Sequence, residues 1–435
     1  MLAKGKLVPP SRRHRSSKKA SSKKPAVVRT LTVSELGHRG DGIAIDDDGN
    51  RIFVPFTLAG ETVTARVAGN RAELMEIIEP APNRAAPPCP HFGVCGGCAV
   101  QHLGDDDYRN WKRGIVETAL DRQGLTVAVD PMVDAHGNGR RRVTFHAVRA
   151  GAEFRVGFMR ARSHEILGFG ECLILDPALA PARAITAELA DALPEAGKRL
   201  DAHLIATETG LDADVRGIGE LDYAAHVALA DAAVALDLAR IAADGEIIAE
   251  CRKPILTMGA AKLTPAPSSF LQATTAGEEV LAGLVGEHTR DARQIADLYC
   301  GVGPFTLRLA ERAAVQAFDN DASAISALDQ AVRYTQNLKP IAMNVRDLND
   351  DPLLVSELTP FDAVVIDPPR AGAQAQARKL AASNVPVVVS VSCDPASFAR
   401  DAAILTAGGY SLERVTPVDQ FKYAAHVEVV ARFAR

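Results

Sequence analysis

The spacing of apolar and polar positions divides this chain into three parts. Between residues 27 and 79, apolar and polar residues alternate over short stretches separated by turns rich in Gly and Asp. A period of two is typical of half-buried strands. The predicted strands cover residues 27–33, 43–45, 51–56 and 61–67. Strands this short, joined by tight turns, predict a small OB-like barrel over residues 27–82.

The second part follows a linker rich in Pro and Ala at residues 80–90. Residues 107–124 have the spacing of a helix that ends at a glycine, and residues 143–158 return to a strand pattern. From residue 177 to 257, Ala-rich helical stretches alternate with apolar strands. Residues 83–260 are therefore predicted to form a central α+β domain.

The third part begins near residue 292 and alternates short apolar strands with helices. The predicted strands cover residues 294–299, 315–318, 363–366 and 385–391. This alternation is typical of a doubly wound parallel sheet, which binds its ligand at the carboxyl ends of the strands. The predicted fold class is therefore α/β, and a Rossmann-like domain over residues 261–435 should carry the chemistry.

Length and composition support a multidomain globular protein. The chain has 435 residues, of which 47% are hydrophobic and 24% are charged, and at roughly 150 residues per domain it should hold about three domains. We find no apolar stretch suited to a membrane span or a signal peptide, so neither a membrane location nor secretion is expected. The seven cysteines are an odd number, which indicates a reducing compartment and favours the cytoplasm.

The formal net charge of −5 conceals an uneven distribution. Residues 1–29 contain ten Lys and Arg but no Asp or Glu, so the rest of the chain is strongly acidic. We predict that residues 1–26 form a basic, disordered tail attracted to polyanions. An organelle transit peptide and a start placed too far upstream are the alternatives.

A glycine-containing turn follows the first strand of the third part, from Asp297 to Phe305. Glycines let the backbone approach a ligand closely. Asp319 ends the next strand, where a carboxylate can bind ribose hydroxyls. Thr306 occupies the third glycine position of the dinucleotide fingerprint, which disfavours a nicotinamide cofactor and favours a mononucleoside such as S-adenosylmethionine. An ordinary turn between strand and helix is the alternative.

Three later positions carry side chains suited to catalysis. Asp367 ends an apolar strand and precedes Pro-Pro-Arg, a pattern typical of methyltransferases or, alternatively, of a simple turn. Cys393 ends the next strand, before a helix whose amino terminus should lower the thiol pKa. We therefore favour Cys393 over Cys300 as a nucleophile, although a buried structural cysteine is common. Glu428, in the last strand, either faces solvent or acts as a general base.

Three cysteines share one glycine-rich loop, with the spacing Cys-x5-Cys-x2-Cys from Cys89 through Cys95 to Cys98. Cys172 follows at the end of a strand. Four thiolates complete a tetrahedral zinc site or hold an iron–sulfur cluster. The spacing differs from the Cys-x3-Cys-x2-Cys of radical enzymes that cleave S-adenosylmethionine.

The chain resembles the RNA uridine-5-methyltransferases over residues 27–435, in particular their iron–sulfur members such as the 23S rRNA enzymes. The resemblance rests on features that occur in the family's order: the barrel, Cys-Gly-Gly-Cys-Ala-Val-Gln-His, Cys172, Gln272, Asp-Leu-Tyr-Cys-Gly-Val-Gly, Asp-Pro-Pro-Arg, Ser-Cys-Asp-Pro and His-Val-Glu. It implies a TRAM barrel that binds RNA, a central domain with a [4Fe-4S] cluster, and a class I S-adenosylmethionine-dependent methyltransferase domain. The expected enzyme is a monomer that acts on RNA, with 23S rRNA favoured over tRNA.

The family's pattern also assigns roles to individual residues. The cluster ligands would be Cys89, Cys95, Cys98 and Cys172. The contacts with S-adenosylmethionine would be Gln272, Tyr299, Gly301, Asp319, Asp347 and Asp367. Cys393 would be the nucleophile that adds to carbon 6 of uracil, and Glu428 the base that removes the proton from carbon 5.

Five positions depart from the residues usual in the family. They are Thr274, Pro304, Asp319, Asp394 and Lys422. The first three concern expected cofactor contacts and could alter affinity. Asp394 places a negative charge beside the nucleophile, which should raise the thiol pKa unless that charge is paired.

Other functions remain open at this point. Asp-Pro-Pro motifs also serve methyltransferases that act on exocyclic amino groups, and tRNA is an alternative substrate for a uridine-5-methyltransferase. The departures would also suit a metal-stapled RNA-binding protein with a vestigial methyltransferase domain. A basic cluster in the second part is either an RNA contact or a solvated face. Its members are Arg140, Arg141, Arg142, Arg149, Arg155, Arg160 and Arg162.

Overall fold

The computed structural model describes residues 26–151, 153–168, 170–193 and 199–435. The predicted basic tail lies outside these residues except for Ala26. Across the described ranges, no helix combines the length and the apolar character needed to cross a membrane.

The first part of the chain forms a closed five-stranded barrel, in the order β1-β2-β3-β5-β4. Its strands are β1 (Val27–Leu36), β2 (Asp41–Ile45), β3 (Arg51–Pro55), β4 (Thr62–Ala68) and β5 (Arg71–Glu79). Alternate residues of these strands point inward, and Val33, Val54 and Val63 are almost completely buried in the barrel core. The predicted barrel is confirmed, with one strand more than the sequence pattern indicated.

A helix and a two-residue strand follow the barrel: α1 (Asp105–Asp121) and β6 (Val133–Asp134). Helix α1 buries Tyr108, Lys112, Val116 and Leu120, which recur every four residues along one face. Asp105, Asp106 and Asp107 occupy its first turn, where acidic side chains interact favourably with the helix dipole. The chain leaves the helix through Gly124 in the left-handed conformation, with φ of 71°.

The central region is a seven-stranded sheet in the order β13-β12-β11-β10-β7-β8-β9. Its strands are β7 (Arg142–Ala150), β8 (Glu153–Met159), β9 (Ile166–Leu167), β10 (Arg199–Thr207), β11 (Gly210–Arg216), β12 (Arg240–Ala243) and β13 (Glu246–Glu250). The helices α2 (Ala182–Asp191) and α3 (Tyr223–Ala235) cover the sheet and share one apolar core with it. A hairpin, β14 (Leu256–Met258) and β15 (Ala261–Leu263), leads to the last region.

The last region is built on an eight-stranded sheet in the order β18-β17-β16-β19-β20-β22-β21-β6. The strands are β16 (Gln294–Leu298), β17 (Ala314–Asp319), β18 (Ile341–Val345), β19 (Ala363–Ile366), β20 (Val387–Ser392), β21 (Ser411–Asp419) and β22 (Glu428–Ala434). The helices are α4 (Thr275–His288), α5 (Pro304–Leu309), α6 (Ala322–Arg333), α7 (Val355–Leu358), α8 (Gln374–Ala381) and α9 (Pro395–Ala407). Strands β16 to β20 are parallel, and β22 runs antiparallel between β20 and β21. This is the predicted doubly wound α/β architecture.

Helix α1 and strand β6 pack on this last sheet, although they lie within the segment that the sequence pattern assigned to the central domain. Strand β6 pairs with β21, and Val116 and Leu120 of α1 join the apolar core beside Val427. The polypeptide thus passes from the barrel to the eight-stranded sheet before it builds the seven-stranded central sheet.

Strand β16 is the switch point of the sheet. It pairs with β17 on one side and with β19 on the other, so the strand order reverses there and a crevice opens at its carboxyl end. All four residues of β19 are buried, as expected for a parallel strand covered by helices on both faces.

Candidate active site

A cavity of about 580 Å³ lies at the switch point, and we call it the catalytic cavity. Most of the site residues predicted from the sequence border it: Gln272, Tyr299, Gly301, Asp319, Asp367, Cys393 and Glu428. Asp347 does not border it. The Asp347 carboxylate instead accepts a hydrogen bond (3.0 Å) from the backbone of Asn349, which does line the cavity.

The glycine turn after β16 has a conformation that its sequence requires. Tyr299, Gly301 and Gly303 have φ of 62°, 53° and 85°. A Cβ on Gly303 would lie 2.5 Å from a methyl carbon of Leu328, whereas a Cβ on Gly301 would meet no atom within 4 Å. Gly303 is therefore needed for packing against α6, and Gly301 leaves open space in which a ligand can approach the backbone.

Asp319 fixes this turn from the neighbouring strand. Its carboxylate accepts hydrogen bonds from the backbone N–H of Gly301 (2.8 Å) and of Asp321 (2.9 Å). Each oxygen accepts one of these bonds, which leaves each with a further lone pair for a ligand hydroxyl.

Asp367 follows β19 and lies among other acidic groups. Burial raises the pKa of its carboxyl well above the usual range, and the charges of Glu428, Asp297 and Asp319 raise it further. Gln272 donates a hydrogen bond from Nε2 to Asp367 (3.3 Å). This part of the cavity thus holds a concentration of carboxyl groups, and a cationic ligand would favour their ionised forms.

Cys393 follows β20 and is partly buried. Burial raises its thiol pKa to about 11, the charges of Glu428 and Asp367 raise it too, and Arg370 opposes them. In the ligand-free protein these effects outweigh any lowering by the amino terminus of helix α9, so the thiol pKa is raised overall. Asp394 is not the cause, because its side chain caps α9 by accepting a hydrogen bond from the backbone of Ser397 (2.9 Å).

Glu428 begins β22 and is only 4% exposed, so the solvent-facing alternative is wrong. Burial raises the pKa of its carboxyl to about 7. A hydrogen bond from Gln420 (3.0 Å) and the charge of Arg370 both favour the ionised form. A buried carboxyl with a pKa near neutrality suits a general base.

The structure adds residues that sequence reasoning missed. Arg370 and His426 border the catalytic cavity and lie 3.4 Å apart, measured from the guanidinium to the ring Nε2. Gln420 is completely buried and contacts both Glu428 and Gln272. Arg370 could have been found from its position after Asp-Pro-Pro, but no sequence motif marks Gln420.

Arg141 corrects the predicted basic cluster. It is buried and forms an ion pair with Glu278, and its Nε donates to the backbone carbonyl of Gln272 (3.1 Å). Arg308 also pairs with Glu278 (2.9 Å). Arg141 thus supports the segment that presents Gln272, rather than offering its charge to a partner.

Departures from the family's usual residues have local explanations. Thr274 caps α4: its hydroxyl accepts from the backbone of Gly277 (2.8 Å) and donates to the carbonyl of Ala135 (2.6 Å). Pro304 occupies the first position of α5, where a missing N–H costs nothing. Both residues preserve helix ends, so neither indicates a degenerate site.

The cysteine loop is held between the central sheet and the catalytic region. The backbone N–H of Gly96 donates to Met159 (3.0 Å), and the N–H groups of Ala99 and Val100 both donate to the carbonyl of Tyr423 (2.8 and 3.0 Å). The loop therefore contacts the segment that leads to Glu428.

The four predicted cluster cysteines lie close enough to influence one another electrostatically. Burial raises the thiol pKa of Cys98 to about 12, and the charges of the other three cysteines contribute to this rise. Burial also raises the thiol pKa of Cys172, with contributions from Cys95 and Cys89. Gln101 contacts both Cys98 and the backbone of Cys89. Even so, in the part of the chain that the structure describes, no three or more His, Cys, Asp or Glu side chains are arranged as a ready metal site.

Two further cavities flank the catalytic cavity. The central cavity, of about 780 Å³, lies beside Cys172 and shares Arg140 and Arg142 with the catalytic cavity. The barrel groove, of about 860 Å³, lies between the barrel and α1, and shares Arg370, Cys393 and His426 with it. The three cavities therefore adjoin one another, in an order that leads from the barrel past Cys393 to the central sheet.

Comparisons with known proteins agree with this architecture. The sequence profile of the family described as tRNA (uracil-5-)-methyltransferase matches residues 266–433, and that of the TRAM domain matches residues 26–69. A Brucella suis protein described as an uncharacterized RNA methyltransferase is 45% identical, over 92% of this chain and 96% of its own. The 23S rRNA (uracil(1939)-C(5))-methyltransferase of Chromohalobacter salexigens is 32% identical, over 98% of this chain and 92% of its own.

A solved structure shares the fold. The tRNA (uracil-54, C5)-methyltransferase of Pyrococcus abyssi, in complex with S-adenosyl-L-homocysteine, superposes with a TM-score of 0.73 at 23% identity, over 93% of this chain and all of that one. Together with the two sequence profiles and the relatives of nearly equal length, the fold and the strand-end carboxylates lead to one conclusion. The chain belongs to the S-adenosylmethionine-dependent RNA (uracil-5-)-methyltransferase family.

Proposed function

We propose that this enzyme methylates carbon 5 of a uridine in RNA by covalent catalysis, with Cys393 as nucleophile and Glu428 as base. The observation that carries the proposal is that a thiol and a buried carboxyl with a pKa of about 7 border one cavity at the switch point of the sheet. A methyltransferase that acts on an exocyclic amino group needs neither side chain.

The chemistry explains why both groups are needed. Carbon 5 of uracil is a weak nucleophile, so the thiolate of Cys393 adds to carbon 6 and the ring electrons shift toward carbon 5 as an enolate. S-adenosylmethionine supplies the methyl group when bound. Glu428 then accepts the proton from carbon 5, the bond between Sγ and carbon 6 breaks, and the thiolate leaves with its electron pair. The product is 5-methyluridine.

Arg370 supports the first step. The thiol pKa of about 11 keeps Cys393 protonated at neutral pH before substrate binds. Glu428 and Asp367 oppose ionisation of the thiol, and Arg370 is the nearby cation that favours it. We therefore assign to Arg370 the stabilisation of the thiolate.

The residues around the glycine turn fit the cofactor. Gly301 leaves open space beside the backbone, and the Asp319 carboxylate keeps lone pairs for ribose hydroxyls. Asp367 and its acidic neighbours suit the positively charged sulfonium and amino groups of S-adenosylmethionine. Tyr299 and Gln272 border the same space, as the resemblance implied.

The flanking cavities support an RNA path on both sides of the reacting base. In the described residues, the buried Nε atoms of Arg140 and Arg142 have no hydrogen-bond partner, and Arg142 stacks on the exposed ring of Phe270 (4.7 Å from guanidinium carbon to ring centroid). A guanidinium group with an unpaired Nε beside an exposed aromatic ring, such as that of Arg142, suits phosphates and unstacked bases. The uridine would turn out of its stack to reach Cys393.

We propose 23S rRNA as the substrate, because the relative from Chromohalobacter salexigens, which this chain matches over nearly its full length, acts on that RNA. Mapping 5-methyluridine in the rRNA and tRNA of a strain that lacks the enzyme tests this. Loss of one 5-methyluridine from 23S rRNA is expected. Loss from tRNA alone would make tRNA the substrate. No loss from either RNA would favour an RNA-binding protein with a vestigial methyltransferase domain.

We also propose that Cys89, Cys95, Cys98 and Cys172 hold a [4Fe-4S] cluster. Four neighbouring thiols are the donor set for such a cluster, and Gly97 and Cys172 border the same cavity. The role is structural, because four thiolates leave no iron open to substrate. The cluster would join the central sheet to the loop that contacts Tyr423.

A further inference from the structure

One buried amide lies between the base and a cofactor residue. Gln420 follows β21 and is completely buried. Its Nε2 donates two hydrogen bonds, to Oε1 of Glu428 (3.0 Å) and to Oε1 of Gln272 (2.7 Å). Its Oε1 accepts one from the backbone N–H of Ala273 (2.7 Å). Both ends of the amide are thus engaged.

The backbone of Ala273 decides which way this amide points. A rotated amide would bring its NH₂ against the N–H of Ala273, and its oxygen against the oxygens of Glu428 and Gln272. Because all these groups are buried, rotation would replace three hydrogen bonds by three contacts between like groups, and each of these is unfavourable. Gln420 therefore has one orientation.

The orientation of the Gln420 amide also fixes the orientation of the Gln272 amide. Since Oε1 of Gln272 accepts from Gln420, the NH₂ of Gln272 points the other way and donates to Asp367 (3.3 Å). A chain of three hydrogen bonds thus runs from Ala273 through Gln420 and Gln272 to the carboxylate at the end of β19. A branch of the same chain ends on Glu428.

We propose that Gln420 is a positioning residue that couples the cofactor site to the base, by orienting Gln272 and Glu428 with a single amide. The proposal rests on the proposed roles of those two residues. The ionisable groups that act on Glu428 are Cys393 after β20, and Asp367 and Arg370 after β19. The bond from Gln420 favours the ionised form of Glu428, which is the form that accepts a proton.

The test uses Gln420→Glu and Gln420→Met in the full-length enzyme. The glutamate keeps an acceptor for Ala273 but loses both donors when ionised, whereas the methionine loses all three bonds at a similar length. For both variants we expect the affinity for S-adenosylhomocysteine, measured by calorimetry without RNA, to fall about tenfold. We also expect slower release of RNA from its covalent adduct, with the half-maximal pH of release shifted upward.

Thr416→Val is the matched control. Thr416 is a buried residue of β21, the strand that precedes Gln420, and its hydroxyl donates to Asp130 (2.6 Å), away from the cavity. This variant should lose thermal stability and keep both readouts. If the Gln420 variants lose stability but keep wild-type affinity and release, or if only one readout changes, the coupling is wrong. If the wild-type enzyme forms no adduct, the proposed mechanism fails, and the calorimetry alone still decides whether Gln420 orients Gln272.

Discussion

Lys112 of helix α1 forms an ion pair with Asp419 at the end of strand β21, and both side chains are almost completely inaccessible to solvent. The ammonium also donates to the carbonyl of Phe421 (3.0 Å), and Asp419 accepts a hydrogen bond from the hydroxyl of Tyr108 (2.7 Å). The pair therefore joins a helix near the barrel to the segment that carries Gln420 and leads to Glu428.

Removing one partner of this pair should destabilise the protein strongly. Lys112→Met leaves the Asp419 carboxylate buried without a cationic partner, which should lower the free energy of unfolding by about 3–5 kcal/mol. The double change Lys112→Met with Asp419→Asn removes both charges and should recover a large part of that loss. Urea unfolding of the three proteins measures this. A loss below about 1 kcal/mol for Lys112→Met would show that water or another cation reaches Asp419.

The raised pKa of Glu428 predicts that this carboxyl destabilises the folded protein as the pH rises. Because burial raises this pKa from 4.5 to about 7, the folded protein retains a proton that the unfolded chain releases between those two values. The stability of the wild type therefore falls as the pH rises through that range. Relative to the wild type, the free energy of unfolding of Glu428→Gln should therefore be about 3 kcal/mol higher at pH 8 than at pH 4, as a rise in pKa from 4.5 to about 7 implies.

Glu357 provides a control of opposite sign. Its ion pair with Arg346 and the backbone of Leu354 lower its carboxyl pKa, so its contribution is present at high pH and is lost as the pH falls through the lowered value. Glu357→Gln should accordingly weaken the protein at pH 8. Denaturant midpoints at both pH values measure these differences. A stability difference between Glu428→Gln and the wild type that is the same at pH 4 and pH 8 would contradict the raised pKa of Glu428.

The sequence predicted the parts of the site that depend on local pattern. A strand followed by a glycine turn places Gly301 and Asp319 at adjacent strand ends in any doubly wound sheet, so spacing alone located them. Asp367, Cys393 and Glu428 were found because each belongs to a short motif. Asp347 was placed by resemblance alone, and the cavity wall there is formed by Asn349.

Other features depend on partners far away in the sequence. From the alternation of residues along β22, the Glu428 side chain could lie on the solvent face or on the buried face of the sheet. Only the pairing of β22 with β20 and β21 shows that it is buried. In the sequence Arg141 looks like the adjacent Arg140 and Arg142, because its partner Glu278 lies 137 residues away. The placement of β6 rests on pairing with β21, which no local pattern encodes.

The proposed cluster predicts the composition of the purified protein. Enzyme prepared without oxygen should be brown and contain about four irons and four sulfides per chain. Cys172→Ala should lose this iron and much of its thermal stability, whereas Cys251→Ala, at an exposed cysteine, should change neither. Iron, sulfide and zinc analysis with melting curves checks this. Stoichiometric zinc without sulfide would replace the cluster by a zinc site.

The RNA path predicts a binding effect without a chemical one. Arg142→Gln removes a cation shared by two cavities, so the KM for RNA should rise about fivefold and the salt dependence of binding should weaken by about one phosphate contact. The release of RNA from the adduct should not change. Arg155→Gln, at an exposed residue of β8 outside the linings of the three cavities, should leave all these values at wild type. Equal effects of the two substitutions would indicate general attraction rather than a defined path.

Cys393 and Glu428 should act in succession on one intermediate, so their variants should differ in kind. Cys393→Ala cannot add to the ring, and it should bind RNA and S-adenosylmethionine yet form neither product nor adduct. Glu428→Gln retains the thiol and transfers the methyl group, but it cannot accept the proton from carbon 5, so the enzyme should remain attached to methylated RNA. Denaturing gels with a radiolabelled methyl donor should show a slow labelled band for Glu428→Gln and none for Cys393→Ala. Normal turnover by Glu428→Gln would mean that another group is the base, and methylation by Cys393→Ala would exclude covalent attack on carbon 6.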